Sequence, residues 1–405
     1  MIPVADARRQ ILEAVPLVAT ERIPRAEARG RVLAADVTAR TDQPPAAVSA
    51  MDGYAVRAAD VEVTPCDLAV IGEAPAGRPF DGTARTGEAV RIFTGAPLPA
   101  GTDSVVIQEN TESRDDGQIR VLAGAAAGKH VRGRGIDFRT GDALVAAGGV
   151  LTARDIGLSA AADWPWLSVR RRPRVALLAT GDEIVLPGEA RRSGQIVSSN
   201  TFALESMIRA VGGDAVDLSL VPDDPAALRS AIDGVRAFDL LVTTGGVSVG
   251  AYDLVGQALQ EAGLTRHFWK IAMRPGKPLL FGTLPGGPPV LGFPGNPVST
   301  FVCALVFLLP ALRAMQGLDP GPASAQAVLG RDLPANDLRE DYLRATASHD
   351  PNGVMTVHPF ELQDSSVLSL LARADCLVIR PPHAPSASAG TPVTALPFPS
   401  AAGGL

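Results

Sequence analysis

Cysteine and histidine are scarce in this chain, and what they fail to form narrows its chemistry. Cys66, Cys303 and Cys376 stand far apart, with no CxxC pair and no even framework. That excludes a disulfide scaffold and a cysteine zinc site, and it suits a reducing compartment with three inert thiols. His130, His267, His349, His358 and His383 show no metal-ligand spacing. Basic charge is not in excess either: Lys and Arg number 37 against 43 Asp and Glu, a net charge of -6, which argues against a nucleic-acid or anionic-membrane binder. One apolar run, Val298 to Leu309, ends at Pro310 and falls short of the roughly 20 residues a bilayer span needs, so it reads as a buried core helix. The N-terminus, MIPVADARRQILEAV, mixes Asp6, Arg8, Arg9 and Glu13 with apolar residues at helical spacing. It predicts an amphipathic helix rather than a signal peptide, and the expected location is cytoplasmic.

What is present is a 405-residue chain with 46% hydrophobic residues, enough for about two to four well-packed domains. Residues 1–45 and 138–168 read as an N-terminal helix and a linking region, including a helix over Leu151 to Ala162 with Thr152 as N-cap and Asp155 at the capping-box position. Residues 46–137 break into short strands split by Gly and Pro, a small β-rich module. Arg170, Arg171, Arg172 and Arg174 flank Pro173 and read as a solvated linker at a domain boundary. Over 169–318, strands at Val175 to Ala179, Ala215 to Val221 and Leu240 to Thr243 alternate with helices at Thr201 to Val211, Pro225 to Val235 and Leu254 to Gly263. Strict alternation means a doubly wound, mostly parallel sheet covered on both faces. Residues 319–405 return to alternating strands, a small C-terminal β domain, expected to be a barrel.

Within the α/β region three apolar runs each empty into a loop of Gly, Pro, Ser and charge, and ligands sit outside the carboxyl ends of such strands. The first loop, after Asp239, holds Gly245, Gly246, Ser248 and Gly250, where glycine lets backbone N–H groups close on an oxyanion. A second holds Lys270, Arg274 and Lys277, with Pro275 and Gly276 fixing the backbone between the last two. The third, LGFPGNPVS, offers Pro294, Asn296 as N-cap, Pro297 at the first helical position and Ser299, so that a helix N-terminus faces the same ligand. Acids follow the strands: Asp182 and Glu183, Asp223 and Asp224, then Asp253. Acids at one edge of a sheet facing an anion loop point to Mg²⁺ bridging to phosphate, although Asp182 or Asp224 read equally well as helix or turn caps. In the β-rich module, Asp52 in MDGY and Arg132 to Asp137 (RGRGID) are charged, glycine-flanked clusters with no evident partner pocket.

These motifs, in this order, resemble the molybdopterin molybdenumtransferase family, called MoeA in bacteria and the gephyrin E domain in animals. The resemblance rests on SAMDGYAV, RIFTGAPLP, RGRGID, ATGDE, VPDDP, TTGGVSVGAYD, MRPGKP, GFPGNPVS and QDSSVLSLLARAD, and spans essentially the whole chain. It implies a central domain shared with the family's adenylating enzymes, and transfer of molybdate to adenylylated molybdopterin with Mg²⁺-assisted release of AMP. It also implies an elongated homodimer whose active site joins the α/β domain of one subunit to the β-rich module of the other. Transient contacts with a molybdopterin adenylyltransferase and with molybdoenzyme maturation factors follow from the same resemblance; nucleic acid and membrane are not expected partners. By the resemblance Ser248, Arg274, Lys277, Ser299 and Arg344 hold molybdate, and Thr94, Glu183, Asp223 and Asp253 handle Mg²⁺ and the adenylate phosphate. Asp253 is the expected organiser of metal and water, and Asp52 and Asp137 gain a pocket. Three departures stand out: Ile136 where the family commonly has Glu, Gly133 where another Arg can occur, and Asp364 where Gly is usual. Rival readings are a molybdopterin adenylyltransferase, a dimeric scaffold, or insertion of tungstate.

Overall fold

The computed structural model describes residues 1–222, 224–245, 254–321 and 324–398. Between 174 and 293 the alternating pattern builds a six-stranded sheet in the order Asp214–Val221, Arg174–Thr180, Leu240–Thr244, Pro289–Phe293, Leu280–Thr283, Thr265–Phe268. The first four strands are parallel, and the last two join antiparallel at the edge. Both faces are apolar because both are covered. Val175, Leu177, Val242 and Leu291 pack on one side, and Ala176, Leu178, Leu241 and Val290 on the other. The helices Pro225–Gly234 and Leu254–Glu261 cover the second face through Leu228, Ile232, Val255 and Leu259. The N-terminal helix Val4–Ala14 buries Val4, Ala7 and Ile11 in the first.

The apolar run at 298 is longer as a helix than its sequence suggests. It continues from Pro297 to Met315, 19 residues, with 83% of its apolar window buried inside the protein. Pro310 does not end it, because the turn before it, Ala304–Leu308, is π-helical and Pro310 sits at the start of the following α segment, where its missing N–H is tolerated. Length alone therefore does not make it a core helix; burial does.

Five C-terminal strands close into a barrel: Glu340–His349 pairs with Met355–Pro359, then Ala325–Leu329, Pro392–Pro397 and Cys376–Arg380, which returns to Glu340–His349. A sixth strand comes from the α/β domain: Met273–Arg274 lies parallel to Glu340 and Asp341, with Arg274 opposite Asp341. The cationic loop is thus stitched to the barrel. The β-rich module is a six-stranded sheet running Ser104–Ile107, Gly53–Val56, Glu88–Ile92, Cys66–Ala74, Gln118–Val121, Thr111–Ser113. At the base of the module Val48–Ser49 pairs with Val131–Arg132, and in the linking region Thr20–Pro24 pairs with Trp166–Arg170.

The expected capping box is formed, with Thr152 and Asp155 exchanging bonds at the head of Ala153–Ala161. The arginine cluster after it is not a solvated linker. Arg171 makes two bonds of 2.6 Å to the Asp239 carboxylate, Arg170 donates to the Val18 carbonyl, and Arg174 lies over Phe238. Planar guanidinium forks turn a boundary into a clamp.

Candidate active site

The four parallel strands end at one edge in aligned register: Thr180 is opposite Val221, Ala179 opposite Thr244, and Thr244 opposite Phe293. The loops that follow therefore meet. Gly245 donates its N–H to the Phe293 carbonyl at 3.2 Å and has φ +86, and a Cβ there would lie 3.2 Å from the Thr180 carbonyl oxygen. Only glycine suits that turn. A Cβ on Gly295 would lie 3.8 Å from the Gly245 Cα, so the two loop backbones face each other. Asn200, which the sequence reading passed over, ties them: its amide donates to the Thr244 hydroxyl at 2.8 Å and to the Gly295 carbonyl at 2.7 Å. The signal was its place in VSSN at the start of a helix facing that edge.

Gly246, Ser248 and Asp253, and Asp223 on the neighbouring loop, lie outside the described residues. Glu183 is exposed after the Arg174–Thr180 strand; its carboxylate folds back within 2.6 Å of where a Cβ on Gly181 would be, so Gly181 gives it room. Asp224 is a helix cap: its carboxylate accepts the Ala227 N–H at 2.8 Å. Among the described residues no three His, Cys, Asp or Glu side chains cluster as a metal site. What Glu183 supplies is a free, hard oxygen donor at the correct edge, which fits Mg²⁺ but does not complete a shell.

Asn296 occupies the N-cap position ahead of Pro297 but makes no side-chain cap. Its amide instead donates to the Ser365 hydroxyl at 2.9 Å, and the Ser365 carbonyl accepts the Val298 N–H at 3.2 Å. The helix N-terminus is thus partly satisfied by a barrel loop. Pro294 is buried and accepts the Thr300 hydroxyl at 2.6 Å, and Ser299 is buried on the first turn.

The predicted cations divide sharply. Lys270 and Lys277 are exposed; the Lys270 ammonium sits 4.5 Å from the Trp269 ring centroid. Between Arg274 and Lys277, Gly276 is buried at φ +107, and a Cβ there would meet the Cys303 sulfur at 2.6 Å, which fixes the loop against the long helix. Arg274, however, is committed. It is ion-paired with Asp341, bonds Asn336 at 3.2 Å and approaches Asp337 at 3.4 Å. Burial raises the Asp341 carboxyl above its ordinary range, opposed by Arg274, while the bond to Asp341 raises Arg274.

Arg344 is also not offered to an anion in this arrangement. It is 1% exposed and donates to the Gln363 side chain and to the carbonyls of Leu362, Asp364 and Val367. Its fork organises the 360–367 loop, and burial lowers its pKa. Asp364 fits the same loop: its carboxylate accepts the Ser366 N–H and hydroxyl, an Asx-type turn, and both bonds lower its pKa.

The β-rich module behaves differently. Asp52 accepts the Thr94 N–H at 2.7 Å and its hydroxyl at 2.8 Å, and these bonds, then the charge of Arg91, lower its pKa. Gly95, which follows Thr94, joins the lining of a pocket of about 540 Å³ formed by Pro44, Pro79, Pro97, Arg132, Ile136 and Asp137 among others. Neither Arg132 nor Asp137 has a side-chain partner among the described residues. Asp42, not singled out in the sequence, clamps the RGRGID loop: it accepts the Thr140 N–H and hydroxyl at 2.8 Å and pairs with Arg134. Those three contacts, in that order, hold its pKa down to about 2.

Comparison with known proteins covers the whole of this architecture. The family model "MoeA N-terminal region (domain I and II)" matches residues 2–162, "Probable molybdopterin binding domain" matches 176–314, and "MoeA C-terminal region (domain IV)" matches 326–398. A molybdopterin molybdenumtransferase of Nostoc sp. is 37% identical over 94% of this chain and 89% of its own length. One from Haemophilus influenzae is 33% identical over 98% of this chain and 99% of its own. A solved molybdopterin biosynthesis MoeA protein from Pyrococcus horikoshii superimposes with a TM-score of 0.86 at 30% identity, covering 99% of this chain and 100% of that one.

Proposed function

We propose, from the premise that this chain belongs to the MoeA family of molybdopterin molybdenumtransferases, that it inserts molybdenum into molybdopterin during cofactor biosynthesis. It is a transferase whose substrates are molybdopterin, in its adenylylated form, and molybdate. The observation that carries this is the joining of three parts in one chain. The aligned strand ends with their facing glycines supply a ligand edge, the barrel is stitched to the cationic loop at Arg274, and the β-rich module carries a separate pocket bearing Arg132 and Asp137. A stand-alone adenylyltransferase leaves both flanking modules without a task, and a scaffold leaves Lys270, Lys277, Glu183 and Asp137 exposed without a reason.

Cleaving a phosphoric anhydride requires negative charge on the departing AMP to be neutralised, and desolvated, prepositioned donors do this most effectively. Lys277 and Lys270 serve that end, with Ser248, Ser299 and the backbone of Gly245 and Gly246 as neutral donors. Glu183, with Asp223 and Asp253, would hold Mg²⁺, which would supply charge neutralisation to the phosphate. Asp52 stays ionised at neutral pH and fixes Thr94 beside the pocket of Arg132 and Asp137. That pocket belongs to the site of a second subunit in a homodimer working in the cytoplasm. Arg274 reaches an incoming molybdate only by leaving Asp341, so the anion and the barrel compete for it.

The test is purified protein with adenylylated molybdopterin, molybdate and Mg²⁺: AMP release with formation of active cofactor is expected. Synthesis of the adenylate from ATP and molybdopterin, without insertion, defeats the proposal.

A further inference from the structure

The pocket of the β-rich module is built unlike an anion site, and its construction identifies what it holds. Its walls are loops fixed to one another chiefly through backbone. Gly135 and Asp137 donate their N–H groups to the Pro44 and Gln43 carbonyls at 2.9 and 3.0 Å, and Gln43 donates to the Phe138 carbonyl at 2.9 Å. On the far side Leu98 donates to the Ala47 carbonyl and Ser49 to the Ala96 carbonyl, both at 2.9 Å. Asp42 then locks the outer turn through Thr140 and Arg134. Because backbone holds the shape, the side chains of Arg132 and Asp137 are free to bind something else, and no ordering of the walls is needed when it arrives.

Apart from that pair and Gln43, the lining is proline, glycine and aliphatic side chains. Pro44, Pro45, Pro79 and Pro97 present C–H faces, and Ile136 is 67% exposed at the rim. Such faces pack on the electron-rich faces of an aromatic ring, and about 540 Å³ is the size of a small-molecule site. A phosphate or molybdate does not suit it, since Asp137 repels a dianion and proline gives no N–H. What suits a free carboxylate beside proline walls is a planar heterocycle with two adjacent N–H donors on one edge, one for each carboxylate oxygen. A 2-amino-4-oxopyrimidine edge has that pair, with a carbonyl next to it for a guanidinium. Adenine has one donor beside one acceptor and leaves the second oxygen unmatched.

We propose that this pocket binds the pterin ring of the substrate, its aminopyrimidinone edge on Asp137, its carbonyl toward Arg132, and its faces between the prolines and Ile136. The proposal rests on the insertase reading above and divides the substrate: ring in the β-rich module, phosphate and molybdate at the strand edge.

The test uses the full-length protein and 6-hydroxymethylpterin, followed by the quenching of pterin fluorescence, with AMP titrated separately. Saturable pterin binding is expected, weakened about tenfold by Asp137→Asn and by Ile136→Glu, as loss of a charged hydrogen-bond acceptor and of an apolar face implies; AMP affinity should not change in either. Both side chains are exposed on backbone-fixed walls, and an unchanged thermal midpoint verifies folding. Absent pterin binding, wild-type pterin affinity in both variants, or loss of AMP affinity instead of pterin affinity overturns the assignment. If wild-type protein releases AMP while the pterin results fail, only the ring placement falls. If pterin binding responds as expected and AMP release fails, the pocket stands and the insertase reading falls.

Discussion

Arg132 and Arg344 are two motif cations that the sequence marks as candidate site residues, and the structure places them in opposite situations. Arg132 stands on the wall of a pocket that backbone bonds hold open, with its own side chain unspent. Arg344 is buried beneath the 360–367 loop with its donors divided among Gln363 and three carbonyls. Arg274 falls between them, exposed in part yet paired with Asp341. A charged residue in a motif marks a place where charge is needed, but whether it meets ligand or holds the loop that does is decided by what else is in reach.

The largest effect that sharpens this contrast is expected at Arg344. Arg344→Ala should lower stability by roughly 3 kcal/mol or more, since several buried carbonyls lose their donor. Arg344→Lys should recover little, because one ammonium cannot replace the planar fork. Urea unfolding measures both; unchanged stability with lost molybdate binding would return Arg344 to the ligand shell. Next comes Gly276→Ala, which places a Cβ against the Cys303 sulfur in a left-handed conformation. A cost of about 1–3 kcal/mol is expected, along with weaker anion binding as Lys277 shifts. A neutral outcome by thermal melting means the loop is softer than described.

A smaller and pH-specific effect tests the pocket side. The Asp42 carboxyl titrates at about 2 in the folded chain against 3.8 ordinarily, so its clamp is fully present above about 4 and is lost as pH falls toward 2. Hydrogen exchange over residues 132–140 should therefore quicken across that window, and Asp42→Asn should abolish the pH response. Identical pH profiles in both proteins would remove Asp42 from the account.

Much of this was readable before the structure because the relevant physics is local. Alternating strands and helices from Val175 to Gly263, the Thr152–Asp155 capping box and the alternation behind a closed barrel all follow from periods and caps within short windows. The strand-end loops follow from them. What could not be read depends on contacts distant in sequence: Arg274 with Asp341, Asn296 with Ser365, Arg171 with Asp239, Asp42 with Thr140. A cap is predicted at Asn296 by its neighbours, but a barrel residue 69 positions away takes its amide. The long helix fails in the same manner, since no local rule announces a π turn that admits Pro310.

The claim on which the rest depends is that the two contrasted regions serve one site across two subunits. Asp52→Ala and Lys277→Ala proteins, each inactive alone, should be mixed, allowed to exchange subunits, and assayed for AMP release with adenylylated molybdopterin and molybdate. Recovery of about a quarter of wild-type activity is expected, since half of randomly exchanged dimers carry one intact site of two. No recovery, with subunit exchange verified, would contradict the shared site.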